Sequence, residues 1–305
     1  MSGFAGHVDV GDGYQIYAEL TGPDHAPAAL FLHGGPGSGC QPTHRALFPE
    51  ATRLVLFDQR GAGRSRPHGA RHANTTAHLV RDIEALRARF GIDRWLVVGG
   101  SWGATLALAY ALAHPERVSG IVLRAVFLGT RAELETAFLD TLPRFHPALH
   151  DDFMSLLAPP ERADPLASYW TRILDPAPEI HRPAARAWAA TERILSRITP
   201  ATARLDHDAL SASGPLPATP FMEAHYFRAG CFLDAPLLDR ALALRPIPGH
   251  IVQGRHDLLC PPATSHALAA RWGAPVEVIE DAGHDMADGG TIAALRAAIA
   301  AMAAR

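Results

Sequence analysis

The chain is 305 residues long, 48% hydrophobic and 19% charged, with a formal net charge of −3; that balance calls for a large buried core in one domain, with or without a smaller second one, and excludes a disordered chain. All of its fixed positive charge is arginine, scattered without a basic run that could track a phosphate backbone, so nucleic acid is not an expected partner. Cys40, Cys231 and Cys260 make no disulfide framework, the N-terminus shows no basic and apolar leader pattern, and no uninterrupted apolar run reaches the ~20 residues a bilayer demands, so a cytoplasmic protein away from membranes is expected.

The first third alternates short β-rich runs with helical patterns, as in a sheet wrapped by helices. Ala28–Leu32 reads as a strand ending in His33-Gly34-Gly35-Pro36-Gly37, and Arg53–Phe57 as another ending in Asp58-Gln59-Arg60-Gly61-Ala62-Gly63-Arg64-Ser65. From Thr76 to Phe90, apolar Leu79, Ile83, Leu86 and Phe90 recur at helical spacing. Trp95–Val98 predicts a buried strand that runs into Gly99-Gly100-Ser101-Trp102-Gly103; a helix follows from Ala104 to His114, and Val118–Leu123 is the next strand. From 129 to 244 the texture changes to helix-like stretches punctuated by prolines, without a clear strand. Strand texture returns at His250–Gln253 and Val276–Ile279, and Thr291–Ala304 has the period of a docked helix. The expected organisation is a core of residues 1–128 and 245–305, a mostly parallel sheet flanked by helices. Residues 129–244 are expected to form a helical cap over one end of it.

Gly99-Gly100-Ser101-Trp102-Gly103 fits G-x-S-x-G with a strand entering and a helix leaving, the context in which a tight turn lifts a serine hydroxyl clear of the backbone. Side chains at the flanking glycines would collide with the neighbouring strand and helix. A serine hydroxyl is a weak nucleophile at neutral pH and needs a base, which in turn needs an acid to orient it. In the order serine, acid, histidine, Asp257 follows the His250–Gln253 strand and His284 follows the Val276–Ile279 strand. Asp281, three residues before that histidine, reads as a loop cap. The glycine run after the first strand offers backbone N–H groups to a developing oxyanion, with the N–H of Trp102 as the second donor. That run lacks G-K-[ST] and the G-x-G-x-x-G spacing, so it is no phosphate loop, and neither H-E-x-x-H nor paired C-x-x-C occurs; no metal and no cofactor is expected.

HGGPG (33–37), DQRGAGRS (58–65), GGSWGATLALAYA (99–111), GRHDLLCP (254–261) and DAGH (281–284) together resemble the proline iminopeptidases, over nearly the whole chain. The resemblance implies an α/β-hydrolase fold with a helical cap and the release of N-terminal proline from small peptides or amides. It places Ser101, Asp257 and His284 at the triad positions and Gly35 and Trp102 at the oxyanion hole. It also assigns Glu192 and Glu223 to the substrate's ammonium, and Phe127 and Cys260 to the slot for the proline ring. The cap departs from the family pattern at Thr191, where a second tryptophan is usual, at Ala137 and Phe138, where tyrosines are common, and near Phe221, where an arginine is usual. An amidase or esterase of the same fold acting on another small substrate, and a non-catalytic binding protein, are the alternatives; four intact catalytic segments weigh against the last.

Overall fold

The computed structural model describes residues 3–304. Strands β1 (Phe4–Asp9), β2 (Gln15–Thr21), β3 (Ala28–Leu32), β4 (Arg53–Phe57), β5 (Trp95–Ser101), β6 (Val118–Val126), β7 (Gly249–Gly254) and β8 (Val276–Ile279) form a single sheet. Their order across it is β1-β2-β4-β3-β5-β6-β7-β8. β2 runs antiparallel to both β1 and β4, and every pairing from β4 to β8 is parallel. The central parallel strands are covered on both faces, which is why Leu-Val-Leu-Phe in β4 and Leu-Val-Val in β5 are apolar without alternating. β2 alternates instead, burying Ile16, Ala18 and Leu20. The β1–β2 hairpin adds strands absent from the pattern read above, because Phe4-Ala5-Gly6-His7-Val8-Asp9 offers no apolar run.

Helix α1 (Thr76–Arg89) turns Leu79, Ile83 and Leu86 onto the sheet, and its N-cap Thr75 accepts from the His78 N–H. α2 (Trp102–Ala113) leaves β5 without a loop and is buried along most of its length, as its nearly uniform apolar sequence requires. On the opposite face, Ala294, Leu295, Ala298 and Ile299 pack beside Leu96, Val98, Val122 and Val252; the first four belong to α7 (Thr291–Ala303).

Residues 127–248 separate β6 from β7 and contain helices but no strand among the described residues. Among them are α3 (Pro165–Ile173), α4 (Pro178–Leu195), the longest, and α5 (Thr219–Phe227); α6 (Pro262–Trp272) follows after β7. An aromatic cluster joins them: Trp188 stacks on Phe138 at 4.4 Å, Phe153 stacks on Tyr169 at 4.0 Å, and Trp170 meets Phe227 edge-on. Such pairs contribute about 0.5–1.5 kcal/mol each beyond area burial. No helix among the described residues is long and apolar enough to cross a membrane.

Because β3, β5, β7 and β8 all run the same way, the segments that follow them emerge on one edge of the sheet. Gly34 and Gly35, Ser101, Asp257 and His284 are thus gathered from distant parts of the sequence. Ligand sites of open α/β sheets form at this carboxyl edge.

Candidate active site

Ser101 sits at φ 57°, ψ −126°, between the last residues of β5 and the first of α2. Non-glycine residues rarely adopt this conformation, which costs on the order of 1–3 kcal/mol and persists only where the surroundings enforce it. The surroundings are the flanking glycines. A Cβ on Gly99 would strike the Gly103 carbonyl, and one on Gly103 would strike the Leu32 carbonyl of β3. Strand and helix can therefore approach closely enough to hold the turn.

His284 and Asp257 meet at this turn. The Nδ1 of His284 lies 2.9 Å and 3.1 Å from the two carboxylate oxygens of Asp257. Asp257 is buried, and its Oδ1 also accepts from the N–H groups of Leu259 (3.0 Å) and Cys260 (2.8 Å). The carboxylate is fixed by backbone before it meets the imidazole, and this selects Nδ1–H and leaves Nε2 free to accept. Ser101 makes no hydrogen bond to His284 in this structure; both line one cavity together with the Cys260 thiol. Burial pushes that thiol well above its ordinary value, so it stays protonated. The loop cap expected of Asp281 is made by Asp288, which accepts from the Gly283 N–H at 3.3 Å.

The N–H groups of Gly35 and Trp102 donate to no protein acceptor among the described residues. For Trp102 this follows from its place at the first position of α2. Gly35 has φ 105°, and a Cβ there would stand 2.8 Å from the Gly37 nitrogen, so only glycine suits the turn. The Trp102 side chain points away from the cavity into the core, with its indole N–H donated to Gln59 at 2.9 Å.

Ser101 and His284 line one cavity of about 370 Å³ together with Gly35, Phe127, Glu192, Glu223 and Cys260. Phe127 is buried and meets Phe227 edge-on at 5.6 Å. Glu223 accepts the Trp188 indole N–H at 2.8 Å, and Glu192 lines the same cavity. Burial, reinforced for Glu192 by the neighbouring Glu223, drives both carboxyls upward, Glu223 to about 7. Ala137 also lines the cavity. Thr191 is buried with an unpartnered hydroxyl, and Phe221 packs edge-on against His181.

Motif residues without obvious chemistry brace this arrangement. His33 is buried; Gln59 donates its backbone N–H to His33 Nε2 at 3.0 Å and its side-chain amide to the His33 carbonyl at 2.9 Å. Nε2 therefore accepts, and Nδ1–H donates to the Gly34 carbonyl at 2.9 Å. Burial lowers the His33 imidazole below its ordinary value and keeps it neutral in this role. Asn74 was not singled out by the sequence pattern. It donates to the carbonyls of Arg60 and Ala70, accepts from the Tyr226 hydroxyl at 2.7 Å, and its own carbonyl meets His225 at 2.8 Å. Tyr226 in turn packs on the Trp102 ring at 4.7 Å, so α5 is tied to the turn that holds Ser101.

Residues 27–291 match the family described as alpha/beta hydrolase fold, the class that this sheet and its strand–serine–helix turn define. A probable proline iminopeptidase of Leptolyngbya boryana is 40% identical over 92% of this chain and 88% of its own length, and the proline iminopeptidase of Arabidopsis thaliana is 39% identical over 95% and 77%. The chain belongs to the proline iminopeptidase family. The crystal structure of a proline iminopeptidase from Mycobacterium smegmatis shares the fold, with a TM-score of 0.62 and 17% identity over 99% of each chain.

Proposed function

We propose that this protein is a serine exopeptidase that releases N-terminal proline from short peptides or proline amides. The observation that carries the reading is the single cavity in which Ser101 and His284 face the carboxyl pair Glu192–Glu223. A nucleophile and an acidic pair in one cavity suit a substrate whose free amino group adjoins the bond to be cut.

Rotation of the Ser101 side chain brings its hydroxyl to His284 Nε2. As Oγ attacks the proline carbonyl carbon, His284 takes the hydroxyl proton, and Asp257 stabilises the resulting imidazolium without itself being protonated. The carbonyl oxygen becomes an oxyanion that accepts from the free N–H groups of Gly35 and Trp102; each such donor is worth about 10²–10³ in kcat. His284 passes its proton to the departing amine as the C–N bond breaks. Water, deprotonated by His284, then attacks the acyl-Ser101 ester and releases proline. No metal or cofactor is required by these steps.

Glu192 and Glu223 hold the substrate ammonium, whose desolvation without a counter-charge costs several kcal/mol. Phe127 and Cys260 supply apolar walls for the ring. Residues 129–244 act as the cap that carries the acidic pair, inserted into a core of 1–128 and 245–305. Three buried free thiols support a reducing, cytoplasmic location.

Ala137 and Thr191 favour a second reading, an amidase or esterase acting on a different small amide or ester, since both are smaller than the aromatic residues the family pattern has there. Turnover of a chromogenic proline amide, its N-acetylated form, the alanine amide and a short acyl ester separates the two. Cleavage of the free proline amide alone supports the exopeptidase; cleavage of the ester or the blocked amide, with little on free proline, replaces it.

A further inference from the structure

Arg124 lies on β6 in register with Gly100, the residue before the nucleophile. Its guanidinium lies where a side chain at position 100 would go: a Cβ built on Gly100 would stand 2.9 Å from Nε, 3.0 Å from Nη2 and 3.2 Å from Cζ. From there Nη1 donates to the carbonyl oxygen of His284. One side chain thus touches the segments that carry nucleophile and base, although those segments belong to β5 and to the loop beyond β8. Asp257 and Asp285 act on the cation electrostatically, but neither lies within ion-pair distance. A second cavity, of about 340 Å³, opens beside it, lined also by Gly34, His44 and His284.

Desolvation weakens the charged form of this guanidinium. A cation kept without an acid partner, when Leu or Met would fill the same space at no electrostatic cost, is retained for what it contacts. The next residue, Ala125, has φ 48°, and the β5–β6 register shifts between Gly100 and Ser101. Such irregularities re-aim side chains next to active sites. Here the shift accompanies the guanidinium's placement across Gly100 and under the His284 loop.

We infer that Arg124 is a positioning residue for the hydrolytic step, setting the height of the His284 main chain above the nucleophile turn, with Gly100 as the cleft that admits it. The inference rests on the Ser101–His284–Asp257 machinery proposed above and not on which substrate the cavity takes. It differs from a role in substrate binding in what it predicts: a loss in kcat with little change in KM.

The test compares wild type with Arg124→Met, Arg124→Lys, Gly100→Ala and the Arg124→Met/Gly100→Ala double variant. Two readouts serve: kcat and KM on proline amide, and the rate of Ser101 labelling by a small fluorophosphonate, which needs no proline specificity. Arg124→Met is expected to lower both kcat and labelling about 10²-fold, the scale of a misplacement near 1 Å, with KM within threefold. Arg124→Lys, which keeps the charge but loses the planar fork, recovers part of that loss. Gly100→Ala displaces the guanidinium, so the double variant is no worse than Arg124→Met alone. The downfield proton resonance of the His284–Asp257 bond, present in wild type, weakens in each variant. Wild-type labelling in a folded Arg124→Met protein, or losses that multiply in the double variant, would overturn the proposal. If Arg124→Met does not fold, labelling of Gly100→Ala at the wild-type rate does so instead. A wild type that is labelled but does not cleave proline amide removes only the substrate reading; a wild type inert to both removes the triad and this proposal with it.

Discussion

Glu223 accepts the indole N–H of Trp188 at 2.8 Å, and it lines one cavity with a second carboxyl, that of Glu192. A buried acidic pair of this kind is unfavourable until a cation enters.

Its protonation makes a prediction for binding. With Glu223 raised to about 7 and Glu192 also driven well above the ordinary carboxyl value, the protonated form of the empty pair is favoured, whereas an ammonium ligand favours the fully ionised form. The KM of proline amide should therefore fall as pH rises through about 7, while the KM of an acyl ester should not. Steady-state kinetics from pH 5.5 to 8.5 on both substrates checks this, and parallel profiles would count against it.

The same shift has the opposite consequence for stability. A carboxyl whose folded value lies above its unfolded one binds more protons when folded, so its contribution is intact below the unfolded value and is lost as pH rises towards the folded one. Glu223→Gln should therefore stabilise the protein at pH 8 relative to wild type, by on the order of 2 kcal/mol, with a smaller gain at pH 5. It should also weaken binding of free-amino substrates. Urea unfolding at the two pH values measures the first effect; equal midpoints in variant and wild type at pH 8 would contradict it.

For the chemistry, Ser101→Ala should lower kcat about 10⁶-fold. Asp257→Asn should lower it about 10⁴-fold by offering the wrong imidazole tautomer. Both variants should unfold at wild-type urea concentrations, and Ser101→Ala should take no fluorophosphonate label in intact-protein mass spectrometry. Retained turnover in Ser101→Ala would end the mechanism.

Asn74→Ala removes the donor to the buried Arg60 carbonyl and the half-buried Ala70 carbonyl, and the acceptor for the Tyr226 hydroxyl. Unsatisfied buried groups cost about 1–3 kcal/mol each, so unfolding free energy should drop by on the order of 3 kcal/mol. Because α5 also carries Glu223, KM for proline amide should rise more than kcat falls. A change in kcat alone would show that Asn74 acts on the nucleophile turn through Tyr226 instead.

Gly103→Ala should be the most damaging single methyl group in the elbow. Its Cβ meets the carbonyls of Leu32, at the end of β3, and of His33 just beyond it, which are backbone and cannot swing aside. Overpacking of this kind costs about 1–3 kcal/mol, readable as a lower urea midpoint with a disproportionate loss of activity.

Much of the core was legible because its strands are buried on both faces. Arg53–Phe57 and Val276–Ile279 coincide with β4 and β8, and the Trp95 and Val118 runs extend only a few residues further than their apolar letters. β1 and β2 were invisible for the converse reason: half of their positions face water and glycine or alanine fills several others. Chain order and local texture were enough to bring Asp257 and His284 into contact on paper, since parallel strands deliver their successors to one edge. Arg124, Asn74 and Gln59 could not be picked out as braces in that way. Their importance comes from partners on elements that only tertiary packing brings near, and a lone arginine in a strand gives no sign of which carbonyl it will meet.

The insertion between β6 and β7 also sets a timetable. Synthesis delivers the nucleophile turn early, but β6 has no partner for its far edge until Gly249–Gly254 is made, and the proposed acid and base come later still. Throughout that interval the growing chain presents an open strand edge, the kind of surface that pairs indiscriminately. Hydrolytic competence is thus the last property the polypeptide acquires. A chain stalled or cut before β7 would carry a serine with nothing to activate it, an exposed sheet edge to be recognised by chaperones, and no capacity to damage the peptides around it.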